Sequence, residues 1–253
     1  MSNSIKDIKT EFEQAEESTL CELYEKYGED TRSGVQKLIA TFQKREEKRR
    51  AELSRLGQMH AYENKYSEFE YICGIDEVGR GPLAGPVMAG AVILPKNCEI
   101  LYINDSKQLS AKKREELYEE IMEKALAVGI GAVGPARIDE INILQATYEA
   151  MRSAIHKLKI VPQILLNDAV TIPQITIPQV PIIKGDAKSV SIAAASIVAK
   201  VTRDRLMVEY DKVLPGYGFA DNKGYGSRAH IEALQRFGAT PIHRKSFIKN
   251  FVG

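Results

Sequence analysis

Apolar residues recur at three- and four-residue steps from Ile141 through Leu144, Tyr148, Met151, Ile155 and Leu158, and Pro162 then stops the pattern. Such steps describe one face of a long helix. The residues that follow, Gln163 to Leu166, are a short apolar run ending at Asn167 and Asp168. A buried strand directly after an amphipathic helix commits the chain to layers, with helices packed on a sheet. The surrounding segments repeat the theme. Tyr71 to Ile75 and Val87 to Leu94 read as strands. Ser110 can cap a helix carrying Leu117, Ile121 and Leu126. Gln174 to Ile183 reads as extended but contains Pro178 and Pro181, which places it at a sheet edge because proline donates no ladder hydrogen bond. Helices are expected from about Ala187 to Tyr210 and near Arg228 to Phe237, with a basic tail beyond. Strands first, then alternating helix and strand, predict an α/β fold with a mixed sheet flanked by helices.

Residues 1–68 differ. They lack proline and read as a helical N-terminal extension, with 69–253 forming the main domain. Thr19-Leu-Cys-Glu22 fits a capping box at a helix start. Val35, Leu38, Ile39 and Phe42 recur at helical spacing. The run Gln43 to Glu52 is almost wholly charged and reads either as a solvated helix with ion pairs one turn apart or as a basic arm for nucleic acid.

Of the 253 residues, 44% are apolar, enough for a substantial core. No apolar run approaches the length that spans a bilayer, and the polar, acidic stretch from Met1 to Glu17 does not read as a secretory signal. Cys21, Cys73 and Cys98 form no CxxC pair, which argues against a disulfide framework or zinc site and for a reducing, cytoplasmic setting. The net charge is only +1, so any phosphate-binding surface must be local.

Three acidic positions share one context. Asp76-Glu77, Asp168 and Asp186 each follow a strand-like run. Ligands of open α/β sheets sit beyond the carboxyl ends of the strands, where such side chains converge. Carboxylates on one face repel unless cations neutralise them. Hard divalent ions accept oxygen ligands and can serve phosphoryl transfer in pairs. Each acid also has a plainer reading: Asp186 as a helix N-cap, Asp168 as the start of a turn, Glu77 as an exposed strand end.

The segment Gly74-Ile-Asp-Glu-Val-Gly-Arg-Gly-Pro-Leu-Ala-Gly-Pro86 resembles the signature of the ribonuclease HII family. The likeness continues in order through Asp105-Ser-Lys-Gln-Leu109, Lys184-Gly-Asp186, Ile192 to Asp204, Asn222-Lys-Gly-Tyr-Gly226 and His243-Arg-Lys-Ser-Phe247. It departs at Ala169, where the family often has glycine, and at Asn222, where many relatives have histidine. The resemblance implies a ribonuclease H-like fold. It implies a catalytic, metal-binding set of Asp76, Glu77, Asp168 and Asp186 holding two Mg²⁺ or Mn²⁺ ions. The implied substrate is an RNA/DNA hybrid or a DNA duplex with embedded ribonucleotides. The cut would fall 5′ to the ribonucleotide by a two-metal-ion mechanism, leaving a 3′-hydroxyl and a 5′-phosphate. The implied roles are removal of misincorporated ribonucleotides and degradation of RNA in hybrids, by a monomer that needs no membrane. Gly79-Arg80-Gly81 and an aspartate as fourth acid look like type HII, since the related type HIII usually has glutamate there.

The substrate must be recognised by its 2′-hydroxyl. Gly79-Arg80-Gly81 suits close backbone approach, and the resemblance assigns it that task through main-chain groups; a tight turn after a strand is the alternative. Tyr225, between two glycines, can stack on a sugar or can anchor its loop. Ser189, Ser196, Lys200 and Arg203 fall on one helical stripe and are candidate phosphate contacts. Ser106, Lys107, Lys184 and Lys188 are further phosphate candidates, and His243, Arg244, Lys245 and Lys249 make the tail basic, so that together they supply a local positive surface.

Overall fold

The computed structural model describes residues 3–252 and divides the chain into two compact units, Met1–Arg55 and Leu56–Gly253. The first unit is built from α1 (Ile5–Gln14), α2 (Glu17–Gly28) and most of α3 (Ser33–Met59). Ile8, Phe12, Tyr27, Val35 and Ile39 form its core, with the Phe12 and Phe42 rings stacked at 5.1 Å. The capping box lies at Ser4 and Asp7, not at Thr19. Helix α2 begins two residues before Thr19, whose hydroxyl, inside the first turn, donates to the Glu16 carbonyl. The charged run is a solvated stretch of α3, with Arg50 paired to Glu46 one turn away.

The second unit holds α4 (Ala61–Lys65), β1 (Ile72–Val78), β2 (Val87–Ile93), α5 (Ala111–Lys124), β3 (Ala127–Val133), α6 (Pro135–His156), β4 (Ile164–Asp168), β5 (Gln179–Ile182), α7 (Val190–Val213), α8 (Phe219–Asn222), α9 (Arg228–Phe237) and α10 (Lys245–Ile248). The sheet order is β3-β2-β1-β4-β5. β1, β2 and β3 pair antiparallel, whereas β1–β4 and β4–β5 pair parallel, so the sheet is mixed. The proline-bearing β5 sits at the edge, as its composition predicts.

Side chains alternate across β1, so Cys73 and Ile75 join the core under α6, while Ile72 packs with Ile192 of α7. Glycine lets the helices approach closely. A Cβ on Gly74 would lie 2.0 Å from the Ser191 carbonyl carbon, and one on Gly90 would lie 2.5 Å from the Ala195 oxygen. α7 is buried along most of its length and forms one core with α5 and β2, in which burying Leu117 and Ile121 contributes about 2 kcal/mol each.

Three local expectations change. α5 stops at Lys124, and Leu126 instead donates to the Ile93 carbonyl as the chain enters β3, a strand the sequence reading omits. Its Gly129 and Gly131 weaken the strand pattern but admit Ala154 and Ala150 of α6. α6 is broken at Asn142 (φ 68°, ψ 165°), whose Oδ1 accepts from the Leu144 and Gln145 amides and caps the longer half. The buried face of that half is Ala146, Ala150, Met151, Ala154 and Ile155, and Leu144 lies exposed. α7 starts at Val190, with Ser189 rather than Asp186 as its N-cap. No helix of the described residues is long and apolar enough to cross a membrane.

Candidate active site

β1 and β4 run parallel with Ile75 opposite Asn167, so Asp76 and Asp168 leave neighbouring strands at the same end of the sheet. Asp168 pairs with Ile182 of β5, and the chain then turns through Lys184 in the left-handed region (φ 57°) to Asp186. The Gly185 amide donates to Asp168 Oδ1 at 2.7 Å, tying the third acid to the turn that carries the fourth. Asp76 faces α7 and accepts a hydrogen bond from Ser196. Its Oδ1 also accepts from the Glu77 amide at 2.7 Å.

Burial, with Glu77 next to it, pushes the Asp76 carboxyl well above its ordinary value. Burial likewise raises Glu77, against the pull of Arg80 at 3.3 Å. Asp186 is raised by burial and then by Asp105 and Asp168. Burial works to lower the Lys107 ammonium, but Asp76, Asp105, Asp186 and Asp168 together hold it above its usual range. The structure therefore brings the four acids and Lys107 into one field of negative charge. Asp105 is a fifth acid in that field, outside the four that the family resemblance implies. It hydrogen-bonds with Asp186, and its Oδ1 accepts from the Lys107 amide at 2.9 Å. Its signal was its place beside Ser106 and Lys107. Among the described residues no three His, Cys, Asp or Glu side chains form a ready-made metal cage. The donor set is nevertheless all oxygen, and Arg80 and Lys107 offset only part of its repulsion, which fits hard divalent cations sharing their coordination with water and phosphate.

Ser106 and Ser196 share a hydrogen bond of 2.9 Å beside Asp76. Lys200 is paired with Asp204 at 2.7 Å. Ser189 stands apart from this group. It is wholly buried, caps α7 and donates to Glu63 Oε1 at 2.6 Å. Arg203, His243 and Arg244 are also buried and so do not belong to a solvated basic surface, whereas Lys184, Lys188, Lys245 and Lys249 are exposed. The charges in the sequence do not reveal that backbone carbonyls enclose both arginines.

Gly79 adopts φ 84°, which only glycine takes without strain, and Arg80 and Gly81 lie exposed. A methyl built on Gly81 would stand 4.0 Å from Tyr225 Cε1, so the loop and the half-exposed tyrosine are neighbours. Both are tied to the same scaffold. The Leu83 amide donates to the Gly224 carbonyl at 2.8 Å, the Arg244 amide to the Leu83 carbonyl at 2.8 Å, and Asn222 Oδ1 accepts from the Gly224 amide at 2.7 Å.

Residues 73–250 match the family model described as ribonuclease HII, and residues 4–67 match that of the ribonuclease HII N-terminal domain. The chain belongs to the ribonuclease HII family. It is therefore a metal-dependent hydrolase of the ribonuclease H kind. It is 68% identical to the ribonuclease HII of Lachnoclostridium phytofermentans over 250 residues, covering 99% of this chain and 98% of that one. The ribonuclease HII of Clostridioides difficile is 52% identical, with 98% of each chain covered. Among solved structures, the ribonuclease H2 of Pyrococcus horikoshii superposes with a TM-score of 0.60 at 29% identity, covering 72% of this chain and 96% of that one. Its coverage of 72% and the family's mixed sheet flanked by helices agree with the architecture seen here.

Proposed function

We propose that this ribonuclease HII relative hydrolyses the ribonucleotide-containing strand of RNA/DNA hybrids and of duplex DNA with embedded ribonucleotides, cutting 5′ to the ribonucleotide. The observation that carries the reading is the placement of Asp76, Glu77, Asp168 and Asp186 at one end of the sheet, with the Gly79-Arg80-Gly81 loop, exposed at Arg80 and Gly81, and Tyr225 tied to a shared scaffold. Asp76, Glu77, Asp168 and Asp186 would hold the divalent cations, two Mg²⁺ or Mn²⁺ ions. Bound there, the ions would make the attacking water more acidic and neutralise charge at the leaving 3′-oxygen, giving a 3′-hydroxyl and a 5′-phosphate.

The protein's own groups do the rest. Ser196 fixes the Asp76 carboxylate, and the Gly185 amide fixes Asp168. Lys107, within reach of the acids' field, offers a cation to the scissile strand. Lys184 and Lys188 offer exposed charge along the backbone. Backbone amides of residues 80 and 81 meet the 2′-hydroxyl, and Tyr225 packs on the adjoining sugar. In this reading residues 69–253 are the catalytic domain and 1–68 an extension of a cytoplasmic, monomeric repair enzyme.

The test is a labelled DNA duplex with one ribonucleotide, incubated with Mg²⁺, Mn²⁺ or EDTA beside an all-DNA duplex. One metal-dependent cut 5′ to the ribonucleotide, absent on plain DNA and with Asp76→Asn, is the expected result. Cleavage confined to longer hybrids would replace the reading with a type HIII-like specificity.

A further inference from the structure

Arg203 and Arg244 are the bulkiest fully buried side chains, and among the described residues neither forms an ion pair. A buried guanidinium without a carboxylate is costly unless its N–H groups are satisfied. Here carbonyls satisfy them. Arg244 donates through Nη2 to Gly79 at 2.5 Å, through Nη1 to Arg80 at 2.9 Å and through Nε to Gly85 at 3.0 Å. Arg203 donates through Nε to Pro86 at 2.9 Å, through Nη2 to Ala84 at 3.1 Å and through Nη1 to Lys223 at 2.9 Å. Two side chains thus hold six carbonyls from the loop after β1 and from the turn before Tyr225.

A peptide unit is planar and trans, so its N–H points away from its C=O. With the Gly79 and Arg80 carbonyls drawn inward, the amides of Arg80 and Gly81 face the opposite way. Both residues are exposed, and neither amide donates a hydrogen bond within the described residues. Burial and the neighbouring guanidinium disfavour charge on Arg244, which leaves it strongly dependent on these carbonyls.

We propose that Arg244, seconded by Arg203, is a positioning residue for ribose selectivity: it holds two carbonyls inward so that the Arg80 and Gly81 amides are presented to the 2′-hydroxyl. The proposal rests on the reading of this loop as the ribose sensor. Lysine in place of Arg244 keeps the charge but loses the planar fork that orients three carbonyls at once.

The experiment is a pair of affinities, for a duplex with one ribonucleotide and for the same duplex in DNA, in Mg²⁺ and in an Asp76→Asn background. Their ratio on one preparation cancels the folded fraction, which thermal melting checks separately. Arg244→Lys is expected to lower the ratio about tenfold while leaving the DNA affinity nearly unchanged. Arg203→Lys, which keeps the charge but loses the fork to Pro86, Ala84 and Lys223, is expected to lower it as well and serves if Arg244→Lys does not fold. Equal loss of both affinities in every folded variant, with the ratio intact, would show scaffolding alone and overturn the proposal. An Asp76→Asn protein with no preference would overturn it too, while cleavage by the native chain tests the parent reading independently.

Discussion

The Nε2 atoms of His230 and His243 stand 3.0 Å apart inside the protein, so one imidazole donates and the other accepts. The Thr240 amide donates to His243 Nδ1 at 3.0 Å, which puts the His243 proton on Nε2. His230 then accepts at Nε2 and donates from Nδ1 to the Tyr225 carbonyl at 2.8 Å. Protonating either ring would set two donors against each other.

A pH dependence follows. Burial, then the facing His230, pushes His243 from 6.5 down to about 4. The folded state thus favours the neutral ring, so its contribution is complete above the unfolded value of 6.5 and is lost as pH falls toward 4. The loss approaches about 3 kcal/mol. Urea unfolding of the native chain and of His243→Gln between pH 7.5 and 4.5 measures it as the difference between two profiles. Parallel profiles would contradict the arrangement of protons.

Asp76 has the opposite sign. Its carboxyl is raised by burial and Glu77, so its favourable contribution is present below about 3.8 and is lost as pH rises through the raised value. Above that value the charged carboxylate strains the fold, and cations held there would relieve the strain. Mg²⁺ at a hundred times its dissociation constant should stabilise the native chain by about 2.7 kcal/mol. In EDTA, Asp76→Asn should melt higher than the native chain, respond less to Mg²⁺ and lose cleavage. An unchanged Mg²⁺ response would remove Asp76 from the metal set.

Ala169 follows Asp168 at φ 56°, in the left-handed region. A side chain there costs about 1 kcal/mol that glycine avoids. Ala169→Gly should raise the unfolding midpoint accordingly and preserve cleavage. A lower midpoint would mean that the Ala169 methyl contributes packing exceeding its strain.

Gly74→Ala tests how β1 is held beneath α7. The new Cβ would fall 2.0 Å from the Ser191 carbonyl carbon and 2.3 Å from the Ile192 amide nitrogen, both backbone atoms. Stability should fall by about 3 kcal/mol, and activity should drop in the protein that still folds because Ser196 moves off Asp76. Melting and cleavage assays on one sample report both effects.

Much of this architecture could be read from periodicity. The apolar runs of β1 and β4 ended at visible acids and amides, that of β2 at Pro95, and Pro178 and Pro181 marked the edge strand before any pairing was known. What stayed hidden depended on contacts across the fold. β3 looked weak because Gly129 and Gly131 make room for α6, and the long stripe concealed a break because Asn142 can cap a helix from a left-handed conformation. Around the site, the order of acids was legible, but Asp105 was overshadowed by its motif neighbours. Arg203, His243 and Arg244 looked like solvated charge because their partners are carbonyls and another imidazole from distant segments. Ser189 shared the polar stripe of α7 in sequence, yet the start of the helix turns it toward Glu63.

β1 lies between β2 and β4, and its glycine face is covered by α7, which begins more than a hundred residues later. On the ribosome, β1, β2 and β3 can pair soon after they emerge, but the strand bearing Asp76 stays uncovered on one side until α7 has been made. At ordinary synthesis rates that interval is about 5 to 20 s. During it, an apolar sheet face is open to other nascent chains, so β1 is the part of the fold most exposed to wrong association while the chain is being made.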